Sequence, residues 1–268
     1  GTSEFKIMGQ SGEDFPPLPE VEQDKSYSMD QSKLRDMIRQ TIYAVSDNMA
    51  KPIYTGSLYE IKDNVLRIVA IDGYRMAIRK ENIEAQRNTQ FIVPGKIQME
   101  ILKLIDSDED KINIIVGQRH VLFNVGTYSV ISRLIEGTFL DYATTIPKEK
   151  NTEVRINTRK LISAVERMSL LTSERIQSPV KCSIGKDEIK LTCKTSVGRA
   201  SDSLQVGTVG NEVEIGFNNR YLLDALKNSE CDEVLLILNG SLTPMIVAPT
   251  EGDSFTFLVV PMRINDEN

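Results

Sequence analysis

Histidine and cysteine are scarce in this chain, with one His and three Cys in 268 residues. The single imidazole, His120, lies beside Arg119 in a strand-like run, and its surroundings supply neither a nucleophilic triad nor a metal shell. Cys182, Cys193 and Cys231 make an odd set without metal-type spacing, which fits reduced thiols in a cytoplasm. No glycine-rich phosphate loop of either common type is present. The carboxylates are not paired in a pattern that selects an acid and a base. Catalysis is therefore poorly supported, and no metal or other cofactor is expected. Also missing are an apolar run near the roughly 18 residues of a membrane span and the basic, apolar and small-residue pattern of a secretory leader. A basic surplus is lacking as well. Against 32 Lys and Arg stand 38 Asp and Glu, a net charge of −6 that argues against a simple basic nucleic-acid binder.

What the chain does have is repetition. With 40% hydrophobic and 26% charged residues it can bury substantial cores, and it is long enough for two domains. Four segments carry helical periodicity, starting at Asp30, Pro94, Asn157 and Asn218, a beat of 61–64 residues. Leu34, Met37, Ile38, Thr41 and Val45 share a stripe in the first, Leu161, Ala164, Val165 and Met168 in the third, and Leu222, Leu223 and Leu226 in the fourth. Asp30, Asn157 and Asn218 are good N-caps, whose side chains accept otherwise orphaned backbone N–H groups, and Pro94 suits a first turn. A strand-like stretch precedes each helix, as in "QFIVPGK" and "EVEIGFNN", and three follow it, punctuated by Gly, Asn and Asp. The chain therefore reads as α+β, a fourfold repeat of strand, helix and three strands with the helices on one face of the sheets. One helix over four strands cannot cover its own apolar face, so pairs of units are expected to make one domain each.

The segments between units fit this division. The opening "GTSEF" reads as a cloning scar, and "SGEDFPPLPEVEQ" as an acidic, proline-rich connector. With "EGTFLDYATTIPKEKNTEV" as a second linker, the expected domains are 27–146 and 147–268, preceded by a connector over 1–26.

The average charge conceals a pattern. The four helical windows hold ten basic residues, Lys33, Arg35, Arg39, Lys96, Lys103, Arg159, Lys160, Arg167, Arg220 and Lys227, against five acids. Acid gathers instead in the connector, in "DSDED" at 106–110 and at the tail. Basic polar faces on helices suit a surface that follows a phosphate backbone without reading sequence. A solvated face with Lys and Arg chosen for helix propensity gives the same pattern. The chain ends on "FLVVPMRINDEN", where a terminus is normally polar. Such a tail is either a core strand, with Leu258 and Val260 facing inward, or the wall of a binding site. Alternate residues of a strand face opposite sides, so it can be both.

Several stretches resemble the beta sliding clamp family of bacterial DNA polymerase III. "VAIDGYRMAI" (Val69 to Ile78) resembles its Asp-Gly-His-Arg-Leu-Ala signature, and "EGTFLDYATTIP" (Glu136 to Pro147) its interdomain linker. "EIGFNNRYLLDAL" (Glu214 to Leu226) is similar to its last helix, and "FLVVPMRI" to its C-terminal Val-Met-Pro-Met-Arg-Leu. The agreement runs from about Ser26 to Ile264. The resemblance implies a non-catalytic processivity factor of similar domains, closing head to tail as a dimer around duplex DNA. This chain is similar to the second and third domains, which alone are expected to be monomeric. The implied partners are duplex DNA, the polymerase alpha subunit, the clamp loader, and other polymerases and repair proteins, in a cytoplasmic setting.

The resemblance also implies a peptide-binding groove. Tyr54, Ile71, Gly73, Tyr74, Arg75 and Met76 would wall it from the middle domain, and Leu140, Thr144 and Thr145 from the linker. Asn218, Tyr221, Leu242, Pro244, Leu258, Val259, Val260, Pro261, Met262 and Arg263 would come from the last domain. Lys51 and Lys96 match duplex-facing positions, and Leu170 and Leu171 a subunit interface. Tyr74 stands where the family commonly has histidine, Leu140 where it usually has proline, and Thr144 at a position often basic. Two other readings stay open: a peptide-binding scaffold of this fold without a DNA role, and an unrecognised enzyme. Duplex binding by the full-length protein separates the first, and a pocket of convergent carboxylates or a bound metal the second.

Overall fold

The computed structural model describes residues 1–21, 25–85, 87–106, 110–172 and 178–264. Most of the acidic run at 106–110 and the tail beyond 264 lie outside them. Four helices form where the sequence beat places them: α1 (Gln31–Ile42), α2 (Gly95–Leu104), α3 (Thr158–Ser169) and α4 (Asn219–Lys227). Asn157 caps α3 by accepting the Lys160 N–H at 3.0 Å, and Asn218 caps α4 by accepting that of Arg220 at 2.9 Å. Asp30 occupies the same position before α1 but makes no cap hydrogen bond. Its carboxylate is taken by the ammonium groups of Lys111 and Lys33, which hold its pKa below the usual range. A charged donor outcompetes a neutral amide for the same oxygens. Pro94 is the residue before α2 rather than part of its first turn.

Among the described residues seventeen strands form antiparallel ladders. The first half contributes β1 (Ser26–Asp30), β2 (Gly56–Lys62), β3 (Val65–Ile71), β4 (Arg75–Asn82), β5 (Thr89–Pro94), β6 (Lys111–Val116), β7 (His120–Val125) and β8 (Tyr128–Arg133). The second contributes β9 (Thr152–Asn157), β10 (Val180–Ile184), β11 (Glu188–Thr195), β12 (Gly198–Gln205), β13 (Gly207–Gly210), β14 (Val213–Phe217), β15 (Glu233–Leu238), β16 (Met245–Pro249) and β17 (Phe255–Val259). Strand β13 has no counterpart in the expected repeat; it extends the ladder by pairing with β9. Two four-stranded sheets run β1-β6-β7-β8 and β12-β11-β10-β14. The third has nine strands, β13-β9-β15-β16-β17-β4-β3-β2-β5, and crosses from one half of the chain to the other where β17 pairs with β4.

Three apolar cores follow from strand alternation. One holds Leu34, Met37, Ile38, Tyr59, Ile101 and Phe123, under α1 and α2. A second holds Leu161, Val165, Phe217, Leu222, Phe257 and Val259, under α3 and α4. The third lies on the opposite face of the nine-stranded sheet, where Leu58, Val69, Met76, Ile246 and Leu258 meet linker residues Phe139, Tyr142 and Ile146. The Tyr142 hydroxyl anchors the linker by donating to Glu60 at 2.6 Å. Helices α1 and α2 pack together, as do α3 and α4, and the Arg39–Glu230 ion pair at 2.9 Å ties α1 to the segment after α4. The four helices therefore form one layer, with the linker on the far side of the sheet. No described helix is long and apolar enough to cross a membrane.

Candidate functional site

The seam between the halves is built by the two segments that stood out in the sequence. In register, Leu258 pairs with Met76 and Val259 with Arg75. Beyond the strand, the Val260 N–H donates to the Tyr74 carbonyl at 2.9 Å, and that of Met262 to the Gly216 carbonyl at 2.7 Å. The tail is thus stitched to both halves. Gly216 is needed for this, because a Cβ there would meet the Met262 carbonyl oxygen and the Ile264 side chain at 2.9 Å.

Across the seam runs a stack of rings and charge. The Arg75 guanidinium lies 5.5 Å from the Tyr43 ring centroid and 4.7 Å from that of Tyr221. Its Nε pairs with Asp72 at 2.8 Å, and a terminal nitrogen pairs with Asp224 on α4. Burial alone would lower the Arg75 pKa; Asp72 and then Asp224 outweigh it and hold the pKa above its ordinary value. Asp72 also accepts the backbone N–H groups of Tyr74 at 2.8 Å and Arg75 at 3.0 Å, which fixes the turn. Gly73, with φ +97°, supplies the left-handed step. Over this base the Tyr74 ring stacks on Tyr221, centroids 5.8 Å apart and 16° from parallel.

The structure divides the expected groove residues into two groups. Tyr74, Gly73, Leu242, Val260 and Arg263 are exposed, and Tyr221, Pro244, Pro261 and Met262 are half-buried. Met76, Leu258 and Val259 are not surface walls: they are at most 4% exposed and belong to the cores. Linker and helices cover both faces of the ladder there, so these three positions are interior. Of the inward pair expected in the tail, Leu258 is buried, whereas Val260 is 36% exposed past the strand end and its neighbour Val259 is fully buried. Arg75, 9% exposed, is a cross-seam pin rather than an open wall.

The remaining groove candidates are engaged locally. Ile71 packs on the third core, and Tyr54 meets Phe139 edge-on at 5.7 Å. The Thr144 and Thr145 hydroxyls donate to the carbonyls of Asp141 and Tyr142, and Asn218 is committed to its cap. Leu140 opens onto a separate cleft of about 560 Å³, lined also by Lys25, Glu60, Phe91 and Tyr142 and by no tail residue.

Residues 28–141 match the family profile described as DNA polymerase III beta subunit, central domain, and residues 143–263 that of its C-terminal domain. The chain belongs to the beta sliding clamp family. It is 36% identical over 267 residues to the beta sliding clamp of Staphylococcus epidermidis, covering 98% of this chain and 71% of that one. The sliding clamp of Bacillus subtilis superposes with a TM-score of 0.94 at 28% identity, over 99% of this chain and 71% of the other. The Pseudomonas aeruginosa clamp bound to griselimycin superposes with a TM-score of 0.93 at 30% identity, over 98% and 72%. The protein is thus a processivity factor of DNA polymerase, an accessory subunit.

In this clamp the helix layer sorts its ten cations. Lys33, Arg35, Arg39, Lys103, Arg167 and Lys227 form ion pairs, with Asp30, Asp36, Glu230, Glu100, Asp202 and Glu166. Lys96, Arg159, Lys160 and Arg220 are exposed and make no ion pair among the described residues. Lys51 is exposed in the turn before β2. Leu170 is 84% exposed at the end of α3, while Leu171 packs partly on the second core. Four residues of the clamp's seam escaped the sequence reading: Tyr43, Asp72, Gly216 and Asp224. Asp72, Gly216 and Asp224 lie inside the quoted motifs; Asp72 bonds its neighbours Tyr74 and Arg75, but the partners of Gly216 and Asp224, Met262 and Arg75, are distant in sequence and only the fold supplies them.

Proposed function

We propose that the seam is a docking groove for short linear peptides carried by polymerases, the clamp loader and repair proteins. The observation that carries this is the tail, whose backbone is pinned to both halves while Val260, Pro261 and Met262 keep apolar surface open beside Tyr74 and Tyr221. An apolar cleft with few polar orienters suits Leu and Phe anchors, and methionine repacks around different clients. Two such anchors contribute about 1.5–3 kcal/mol each, less ordering costs, which suggests micromolar affinity. Arg263, exposed at the groove's end, favours acidic flanking residues in the client.

The helix layer is the duplex-facing surface. Its cations Lys96, Arg159, Lys160 and Arg220, which make no ion pair among the described residues, attract phosphates together with Lys51 without reading bases. The chain performs no chemistry itself. Its division at 146/147 separates a middle from a C-terminal clamp domain, and Leu170 and Leu171 mark a subunit interface. On that reading these two domains by themselves are expected to run as a 30.1 kDa monomer by light scattering.

The groove is tested by calorimetry with a Gln-x-x-Leu-Phe peptide. Val260→Asp puts a carboxylate in the apolar floor without removing the backbone bond to Tyr74, so the variant folds, by circular dichroism, and loses the peptide. Equal binding by folded parent and variant shows that the groove lies elsewhere.

A further inference from the structure

The internal repeat places the same strands in both halves of the chain, but one shared face has opposite chemistry in the two. Lys181 pairs with Thr192 across β10 and β11 as Leu58 pairs with Val69 across β2 and β3. Lys194 pairs with Arg199 across β11 and β12 as Ile71 pairs with Met76 across β3 and β4. In the first half this face is apolar and closed by the linker, with Leu58, Val69 and Met76 in the third core. In the second half it carries Lys181, Lys190, Lys194 and Arg199, with the hydroxyl residues Thr192 and Ser201 paired between them. The alternate residues Cys182, Ile189, Leu191 and Cys193 are buried in the second core, on the side where α3 packs. Sheet β12-β11-β10-β14 therefore has a helix on one face and a cationic surface open to solvent on the other.

The cations there have little to do with holding the sheet together. Lys181 is taken by Glu214 at 2.9 Å. Lys190, Lys194 and Arg199 are exposed and make no ion pair among the described residues, in a chain whose net charge is −6. Lys194 and Arg199 stand directly opposite each other, a placement of like charges that weakens a ladder. Folding gains nothing from that juxtaposition, so a ligand of opposite charge is its physical rationale. Lys190 and Lys194 lie four residues apart on one strand, roughly 13 Å at the usual rise. An extended segment laid along β11 brings carboxylates to both ends of that span.

We propose that this open face is a second docking surface, and that it takes an acidic, extended protein segment. Its strands β10, β11 and β12 are not those of the seam, so the surface stands whether or not the groove reading does. Carboxylates meet Lys190, Lys194 and Arg199, and the hydroxyls of Thr192 and Ser201 donate to them. The face has no aromatic side chain on which bases could stack, which favours a peptide over a single strand of nucleic acid. Exposed pairs of this kind steer the encounter more than they hold the complex, so binding is salt-dependent.

The probe is fluorescein-labelled octaglutamate, titrated with the chain and followed by anisotropy at low and at physiological salt. The parent binds it, and more tightly as salt falls. The combined change Lys190→Thr, Lys194→Thr and Arg199→Thr introduces residues that suit exposed strand positions, so the variant folds by circular dichroism. It binds octaglutamate about tenfold more weakly, as the loss of three exposed ion pairs implies. Changing Arg159, Lys160 and Arg220 of the helix layer to Ala leaves octaglutamate binding unaltered. Equal binding by parent and sheet variant overturns the proposal, as does loss in the helix-layer variant instead, or a parent that does not bind at low salt. Octathymidylate, similar in charge but carrying bases, binds the face less well than octaglutamate. If it binds more tightly and is lost in the sheet variant, the surface takes nucleic acid and the acidic-segment assignment fails.

Discussion

Replacing Arg75 with alanine tests whether the seam is locked by charge or only by the ladder. The side chain is 9% exposed and pairs with two carboxylates, Asp72 at 13% and Asp224 at 31% exposure. Removing one member of a buried ion pair typically costs about 3–5 kcal/mol, because the other is left uncompensated. The discount here is specific. Asp72 retains two backbone N–H donors, at 2.8 and 3.0 Å, and Asp224 is open enough to hydrate. That brings the electrostatic part down to about 2–3 kcal/mol. The lost contacts with the rings of Tyr43 and Tyr221 add about 0.5–1 kcal/mol each. Arg75→Ala is therefore expected to destabilise the chain by about 3–5 kcal/mol.

Urea denaturation followed by far-ultraviolet circular dichroism measures this; the sequence has no tryptophan to report instead. Combining Arg75→Ala with Asp224→Asn costs less than the two changes separately, by about 1–3 kcal/mol, since the second mutation removes the charge that the first stranded. A loss below about 1 kcal/mol for Arg75→Ala, or strict additivity in the double variant, refutes the locked-seam argument.

Three further outcomes are expected. Gly216→Val drives a side chain into the Met262 carbonyl and Ile264, each 2.9 Å from where its Cβ would sit, so the tail detaches and peptide affinity falls at least tenfold while helix content stays, by calorimetry and circular dichroism. Unchanged affinity would show that the tail's anchor does not shape the groove. At pH 8 a thiol reagent labels half-buried Cys231 first. Burial raises all three thiols, that of Cys182 up to about 12, but only Cys182 and Cys193 are shut off from solvent, so those two react only on unfolding. Duplex DNA binds weakly and more tightly as salt falls, and the combined change of Arg159, Lys160 and Arg220 to Ala flattens the salt slope by up to about 3, measured by fluorescence anisotropy. A slope unaltered by that change places the duplex on another face.

The sequence by itself determined the four helices and their order, because caps and apolar stripes are local signals that need no distant partner. Asn157 and Asn218 show this, each capping the helix it was expected to start. The local signal failed at Asp30, where Lys111, eighty-one positions away, takes the carboxylate. The tail was recognisable as unusual, and resemblance supplied names for groove residues, but the facing of each tail residue was not legible. Val259 is buried because it is the last residue of β17, still paired with β4 under the second core, and Val260 is exposed because it lies past the strand end. Likewise, the "DGYR" stretch announced a turn, whereas Arg75 becomes a pin only because α4 brings Asp224 and Tyr221 to it across the seam. Only the tertiary structure decided these points, since a long-range pairing is fixed by the packing of the whole sheet, not by the residues beside it.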